Sequence, residues 1–254
     1  MDKSIMTTEE ASVYHNISNI QLEDGLNLID NLSPQSSDSV LDMGCGTGRL
    51  CMVLSERLSD GGKVLGIDPD EERIRVADKG RKDSMTNLRF AVGSDQTFPE
   101  DQYDAIISSQ VIHWIKNKDA TFKRVYDNLK PGGKFAFATI TNNGIPDLLV
   151  ELVKLCGSDA FDAVMSCSHY ESLDFYKQKA KEYGFSVVQI QSINRECVLP
   201  NIDTFINFYF SAYHGRFDRT NPNLNGLREK YSGQAIKWTI KLLFMVLAKP
   251  STTK

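Results

Sequence analysis

Through the first half of the chain, short apolar runs alternate with segments whose apolar positions recur every three or four residues. Ser39–Met43, Val64–Asp68, Leu88–Val92, Tyr103–Ser109 and Lys134–Thr139 each read as a short buried strand. Between them, Leu50, Val53, Leu54 and Leu58 fall on one helical face, as do Phe122, Val125, Tyr126 and Leu129. Pro69 before Asp70, Glu71 and Glu72 predicts a helix start, since proline needs no donor there and acids suit the positive end of the dipole. Upstream, Leu22, Leu26, Ile29 and Leu32 predict a helix that Ser33-Pro34 stops. Strands and helices alternating at such intervals predict a sheet covered by helices on both faces.

After Thr139 the rhythm breaks. Residues 142–182 predict two helices separated by Gly157-Ser158 and a bend around Ser166–His169, and a strand follows over Phe185–Ile193. A helix is expected over Ile202–Tyr213 and a polar, glycine-containing stretch over 215–234. The last strand, Lys237–Ala248, alternates poorly, which predicts cover on both faces and an antiparallel partner in 185–193. The expectation is one α/β domain over residues 1–254, with a Rossmann-like, mostly parallel sheet of seven strands and an antiparallel C-terminal strand. Residues 1–35, 142–182 and 200–233 are expected to form a helical cap on the substrate side.

Composition changes this picture little. With 41% apolar and 24% charged residues and a net charge of −4, the chain has ordinary globular character and no long basic block. Nucleic-acid binding, which needs a concentrated basic footprint, is not expected. Cys45, Cys51, Cys156, Cys167 and Cys197 form no C-x-x-C pair, and no leader-like start precedes them, so they read as reduced thiols of a cytoplasmic protein. Cys45 and Cys51 read as small packing residues. The four histidines show no zinc spacing, and no metal is expected. No apolar run reaches the roughly 20 residues of a membrane-spanning helix. Monomer and homodimer both remain open.

The chemistry lies in Val40-Leu-Asp-Met-Gly-Cys-Gly-Thr-Gly-Arg49. Gly44, Gly46 and Gly48 make a strand-to-helix loop, and Asp68 ends the next strand, 24 residues after Gly44. Arg49 stands where a dinucleotide loop needs its last glycine, and no Gly-Lys-Ser/Thr ending grips phosphates, so a dinucleotide and a nucleoside triphosphate both fit poorly. Asp42 and Asp68 converge at the carboxyl edge of a parallel sheet. Asp68 can accept from both hydroxyls of a ribose, and Asp42 can face a cationic ligand tail, directly or through water.

This set resembles the class I S-adenosylmethionine-dependent methyltransferases, through the glycine loop, Gly66-Ile-Asp-Pro, Phe98-Pro-Glu-Asp-Gln-Tyr-Asp and Leu129-Lys-Pro-Gly-Gly-Lys, over residues 38–140. The resemblance implies S-adenosyl-L-methionine as cofactor. Gly44, Gly46 and Gly48 would line its methionine side, Asp68 its ribose and Pro69 its adenine. Where many members carry Gly-Asp after the third strand, this chain has Gly93-Ser94-Asp95, so Ser94 or the displaced Asp95 would address the adenine amino group. Ser109 and Gln110 resemble the positions that meet the amino end of the cofactor.

Ser109-Gln-Val-Ile-His-Trp-Ile115 further resembles carboxyl methyltransferases of small acids, in particular the juvenile hormone acid or farnesoic acid enzymes and the related aconitate enzymes. That resemblance makes Trp114, Gln110, Gln21 and Tyr14 substrate-side residues, with Gln21 a partner for the acid and Tyr14 a lid residue. The implied activity is methyl transfer to the carboxylate of a small organic or isoprenoid-like acid. A carboxylate is already ionised at neutral pH and needs no base. The alternatives are an oxygen or nitrogen acceptor on another small metabolite, with His113 as candidate base, and a noncatalytic regulatory protein that binds the cofactor. Phe205, Phe208, Tyr209, Phe210 and Tyr213 either line an apolar acceptor pocket or seal the cap onto the sheet.

Overall fold

The computed structural model describes residues 7, 11, 15, 19–141 and 144–251. Seven strands form one sheet: β1 (Ser39–Met43), β2 (Lys63–Asp68), β3 (Leu88–Val92), β4 (Tyr103–Ser109), β5 (Leu129–Ile140), β6 (Ser186–Leu199) and β7 (Ile236–Ala248). Their order is β3-β2-β1-β4-β5-β7-β6, with β7 antiparallel to both of its neighbours and the remaining pairs parallel. The expected seven-stranded, mostly parallel sheet with an antiparallel end is the observed one.

Helices α1 (Asn19–Leu32), α2 (Arg49–Arg57) and α3 (Glu71–Gly80) cover one face, and α4 (Lys118–Asn128) covers the other. Alternation within the strands decides which residue meets which layer. Val40, Val64, Ile107 and Ala136 pack with Leu28, Ile29 and Leu54, while Leu41, Ile67, Ile106 and Phe135 pack with Phe122 and Val125. β7 does both, burying Leu242, Phe244 and Val246 on one side and Leu243, Met245 and Leu247 on the other. This explains its poor alternation.

The region beyond Ile140 departs from expectation. Residues 147–182 form three helices, α5 (Asp147–Leu155), α6 (Ser158–Met165) and α7 (Leu173–Glu182). The break between α5 and α6 falls at Gly157, whose φ of 112° continues no helix, and the break before α7 falls in the bend after Ser166. Only α5 and α6 join a cap core, with α8 (Ile202–Ala212) and α9 (Asn225–Lys230). α7 instead lies on the sheet beside α4, where Tyr176 and Ala180 pack with Phe122 and Phe185.

β6 and β7 also run past β5: β5–β7 pairing stops at Ile140↔Leu242, whereas β6–β7 pairing continues to Leu199↔Ile236. This two-stranded arm carries Leu199, Ile236 and Trp238 into the cap core. At the other end of β5, the strand starts at Leu129 rather than Lys134, with Pro131-Gly-Gly133 as a bulge within it. The register jumps from Tyr103↔Leu129 to Ala105↔Lys134.

Strand order reverses between β1 and β4, so the loops that leave their carboxyl ends diverge to leave a crevice. Among the described residues no helix is long and apolar enough to cross a membrane.

Candidate functional site

The glycine loop spans the end of β1 and the start of α2, and its backbone is fixed from below. Gly44 and Cys45 donate their N–H groups to the Ile67 carbonyl, both at 2.8 Å, and Gly46 donates to Asp68 Oδ2 at 2.9 Å. Gly44 has φ +83°, and a Cβ there would collide with Val111 of the loop after β4. Gly46, at φ +56°, has nothing within 4 Å of where a Cβ would lie. Glycine at 44 lets two loops touch, and glycine at 46 keeps the floor of the crevice bare.

A cavity of 960 Å³ opens above this loop. Asp42, Gly44, Gly46, Asp68, Pro69, Ser94, Asp95, Ser109, Gln110, His113, Trp114 and Gln21 all line it. Those predicted site residues therefore do come together. Gly48 contributes otherwise: its left-handed backbone starts α2, and it packs against Phe90 and Ala77. Tyr14 falls outside the described residues.

Asp68 is buried. Its second oxygen accepts from Asp70 N at 2.9 Å, so each oxygen keeps a lone pair for the hydroxyls of a ribose. Asp70, rather than Pro69, opens α3, by accepting from the N–H groups of Glu72 and Arg73. Asp42 is 1% exposed and accepts from the Cys51 thiol at 3.1 Å. Burial pushes its carboxyl up to about 7; the Cys51 hydrogen bond opposes this and the charge of Asp68 adds to it. Asp95, half-buried, accepts from Thr121 and is raised by burial.

These groups fit an S-adenosyl ligand. Three acids stand along one side, a cation is wanted beside Asp42, and the buried Ser109 Oγ, Gln110 Oε1 and Gln21 Oε1 have no hydrogen-bond partner.

The loop after β4 builds the other half. Gln110 is held at φ +59°, which costs a non-glycine residue about 1–2 kcal/mol. Its side-chain Nε2 donates to Asp24 Oδ2 at 3.0 Å, and Asp24 pairs with Arg195 Nε at 3.3 Å. A carboxylate accepts only, so Asp24 fixes the Gln110 amide with its oxygen turned away. Gln110 Oε1 is then left buried without a hydrogen-bond partner. Burial raises Asp24 to about 6, against the pull of Arg195 and Gln110. Sequence reasoning missed Asp24 and Arg195, because their meeting depends on the packing of α1 against the β6–β7 arm.

Beyond Gln110, Ile112–Trp114 forms one 3-10 turn. His113 is 3% exposed, its Nδ1 lies 3.2 Å from Thr139 Oγ1, and Tyr170 stacks on it at 5.5 Å. Burial, with the nearby Lys118 charge, lowers it to about 3. At neutral pH it is an uncharged imidazole of very low basicity, which removes most of its value as a base. Trp114 meets Tyr213 edge-on at 4.9 Å. The buried Lys118 ammonium ties this turn to the cap by donating to the carbonyls of Ile115 and His169, at 2.8 and 2.7 Å. Of the aromatic helix α8, Phe208, Tyr209 and the following Tyr213 reach the cavity, and Phe205 is buried in the cap core. That segment both lines the pocket and seals the cap.

Cys45, Cys51 and Cys197 are buried thiols, and all five cysteines are free. Among the described residues no group of histidine, cysteine and acidic side chains is placed to hold a metal ion.

Comparison with known proteins agrees with this fold. Residues 21–190 match the family described as "Methyltransferase domain". The putative methyltransferase 235L of Invertebrate iridescent virus 6 is 32% identical over 143 residues, 56% of this chain and 52% of that protein, so the match spans about half of its length. The malonyl-[acyl-carrier protein] O-methyltransferase 2 of Ilyobacter polytropus is 27% identical over 223 residues, 83% of each chain. Among solved structures, the YcgJ protein of Bacillus subtilis aligns with a TM-score of 0.64 at 19% identity, over 91% of this chain and 99% of its own.

Proposed function

The chain belongs to the methyltransferase domain family, and on that premise we propose that it transfers a methyl group from S-adenosylmethionine to the carboxylate of a small organic or isoprenoid-like acid. When bound, the cofactor supplies a methyl group on a positively charged sulfur. Asp68 holds the ribose, Pro69 and Ser94 or Asp95 flank the adenine, and Asp42 and Ser109 face the cationic methionine end. The Gly44–Gly48 backbone, pinned to Ile67 and Asp68, lies along the methionine side without side chains in the way. The aromatic wall of Trp114, Tyr170 and Tyr213 excludes water from the acceptor, and Trp114 and Gln21 hold the acid in line with the carbon–sulfur bond.

The observation that carries the carboxylate reading is the state of His113. The imidazole facing the acceptor half is buried and barely basic, which suits a nucleophile that arrives with its own charge. The test incubates the protein with methyl-labelled cofactor and a panel of small and isoprenoid acids. Alkali-labile label is expected; label confined to nitrogen, carbon or sulfur defeats the reading.

One observation favours a second reading, an oxygen or nitrogen acceptor. Asp24 lines the cavity with a carboxyl raised to about 6, within the range of a working base. Both of its oxygens are already engaged, by Gln110 and Arg195, so the first reading is preferred.

A further inference from the structure

The cavity is lined by acids and by cations. Asp42, Asp68 and Asp95 stand at or just beyond the carboxyl ends of β1, β2 and β3, with Arg49 and Arg73 in the helices that follow β1 and β2 and Lys116 after β4, and the cap side contributes Arg216. No carboxylate of the described residues lies within ion-pair distance of Arg216, and the neighbour that feels its charge is the Cys167 thiol. Arg216 is half-buried as a residue, and an anion brought to it would find no described carboxylate to displace.

The chain that leads into Arg216 is held in place. His214 and Gly215 are consecutive left-handed residues, at φ +52° and +71°. His214 Nδ1 sits 3.2 Å from Asp70 Oδ2, and Gly215 N donates to the Phe210 carbonyl at 2.9 Å. The left-handed turn at His214 and Gly215, held by these bonds at the edge of the cavity, sets where the chain places Arg216.

Hydroxyl groups lie on the same side. Tyr170 and Tyr213 line the cavity, and Ser168 Oγ lies 3.3 Å from the Tyr213 hydroxyl. Burial raises both phenols, so they stay protonated and can donate.

We infer that Arg216, Tyr170 and Tyr213 form an oxyanion-binding corner in the cap that takes a second carboxylate of the acceptor, remote from the one methylated. The substrate class is then a short dicarboxylic acid or its equivalent rather than a fatty monoacid. The inference rests on the carboxylate reading above for what the site methylates, but the corner itself is a binding claim. A guanidinium with two phenol donors suits a carboxylate's paired oxygens, and Trp114, edge-on to Tyr213 at 4.9 Å, offers an apolar surface beside the corner.

The test is calorimetric titration of the full chain, saturated with S-adenosylhomocysteine, using matched acids: glutarate against pentanoate and suberate against octanoate. At least one diacid should bind about tenfold more tightly than its monoacid, a difference of about 1.4 kcal/mol. Arg216→Gln and Tyr213→Phe should each erase that preference, and Arg216→Lys should restore part of it. Equal binding of mono- and diacids, or a preference that survives Arg216→Gln, overturns the corner. Ester formation is assayed separately. Selective binding without an ester defeats the carboxylate reading and leaves the corner standing; esters formed without diacid preference do the reverse; no acid bound defeats both.

Discussion

The two halves of the cavity are built by different means. The donor half is mostly backbone: five consecutive residues from Gly44 to Gly48, anchored on Ile67 and Asp68 of the adjacent strand. The acceptor half is side chains drawn from α1, the loop after β4, the bend before α7 and the end of α8. A backbone cradle pinned to its neighbours tolerates little change. A wall of side chains from separate segments can be rebuilt piece by piece without disturbing it.

Breaking the donor half should have the largest effect. Gly44→Ala forces a Cβ into Val111 and a side chain into left-handed backbone, and should cost about 3 kcal/mol or more between stability and cofactor binding. Gly46→Ala has the strain without the collision and should cost about 1 kcal/mol of stability, with a further loss of cofactor affinity because its Cβ enters the crevice floor. Thermal melts and cofactor titrations check both, and equal losses would mean that the Gly44–Val111 contact is unimportant. Asp68→Ala should come next, weakening cofactor binding by about 1.5–3 kcal/mol through lost charged hydrogen bonds.

Trp114→Ala sharpens the comparison from the other side. It should raise KM for the acceptor about tenfold or more while cofactor affinity changes by less than about threefold. Parallel loss of both would merge the two halves into one structural unit.

A subtler effect is proton linkage. Asp42, at about 7 in the free protein against about 3.9 unfolded, keeps its proton in the fold after the unfolded chain has lost it. Its contribution therefore lowers stability progressively as pH rises from about 4 to 7, and is constant outside that window. A cationic ligand favours the ionised form, so binding releases a proton and affinity should rise with pH up to about 7, then level off. Calorimetry in buffers of different ionisation enthalpy measures the release, and Asp42→Asn should abolish it.

The smallest expected effect is at His113. His113→Gln should leave the pH–rate profile between 5 and 8 unchanged in shape, because a group at about 3 does not titrate there. A lost limb in that range would favour the hydroxyl or amine acceptor.

What could be read from the sequence follows the same division. Strands β1 to β4, the glycine loop and Asp68 are local patterns, so their periods and spacings located them before any coordinates. β7 was legible because burial on both faces leaves a continuous apolar run. The split of residues 142–182 into a cap portion and α7 was not legible, because α5, α6 and α7 have similar amphipathic patterns and differ only in which surface they cover. Asp24, Arg195, Arg216 and Tyr170 read as ordinary polar and aromatic residues in sequence. Tertiary packing brings Asp24, Arg216 and Tyr170 to one cavity and pairs Arg195 with Asp24, and a local signal was the His-Gly pair that turns the chain before Arg216.

The division of the cavity is tested most directly by a crystal structure with S-adenosylhomocysteine bound. The ligand is expected along Gly44–Gly48 with its ribose hydroxyls on Asp68, leaving the space between Trp114, Tyr170 and Tyr213 open for an acceptor. An adenosyl group lodged against those aromatic rings, away from Asp68, would contradict the account.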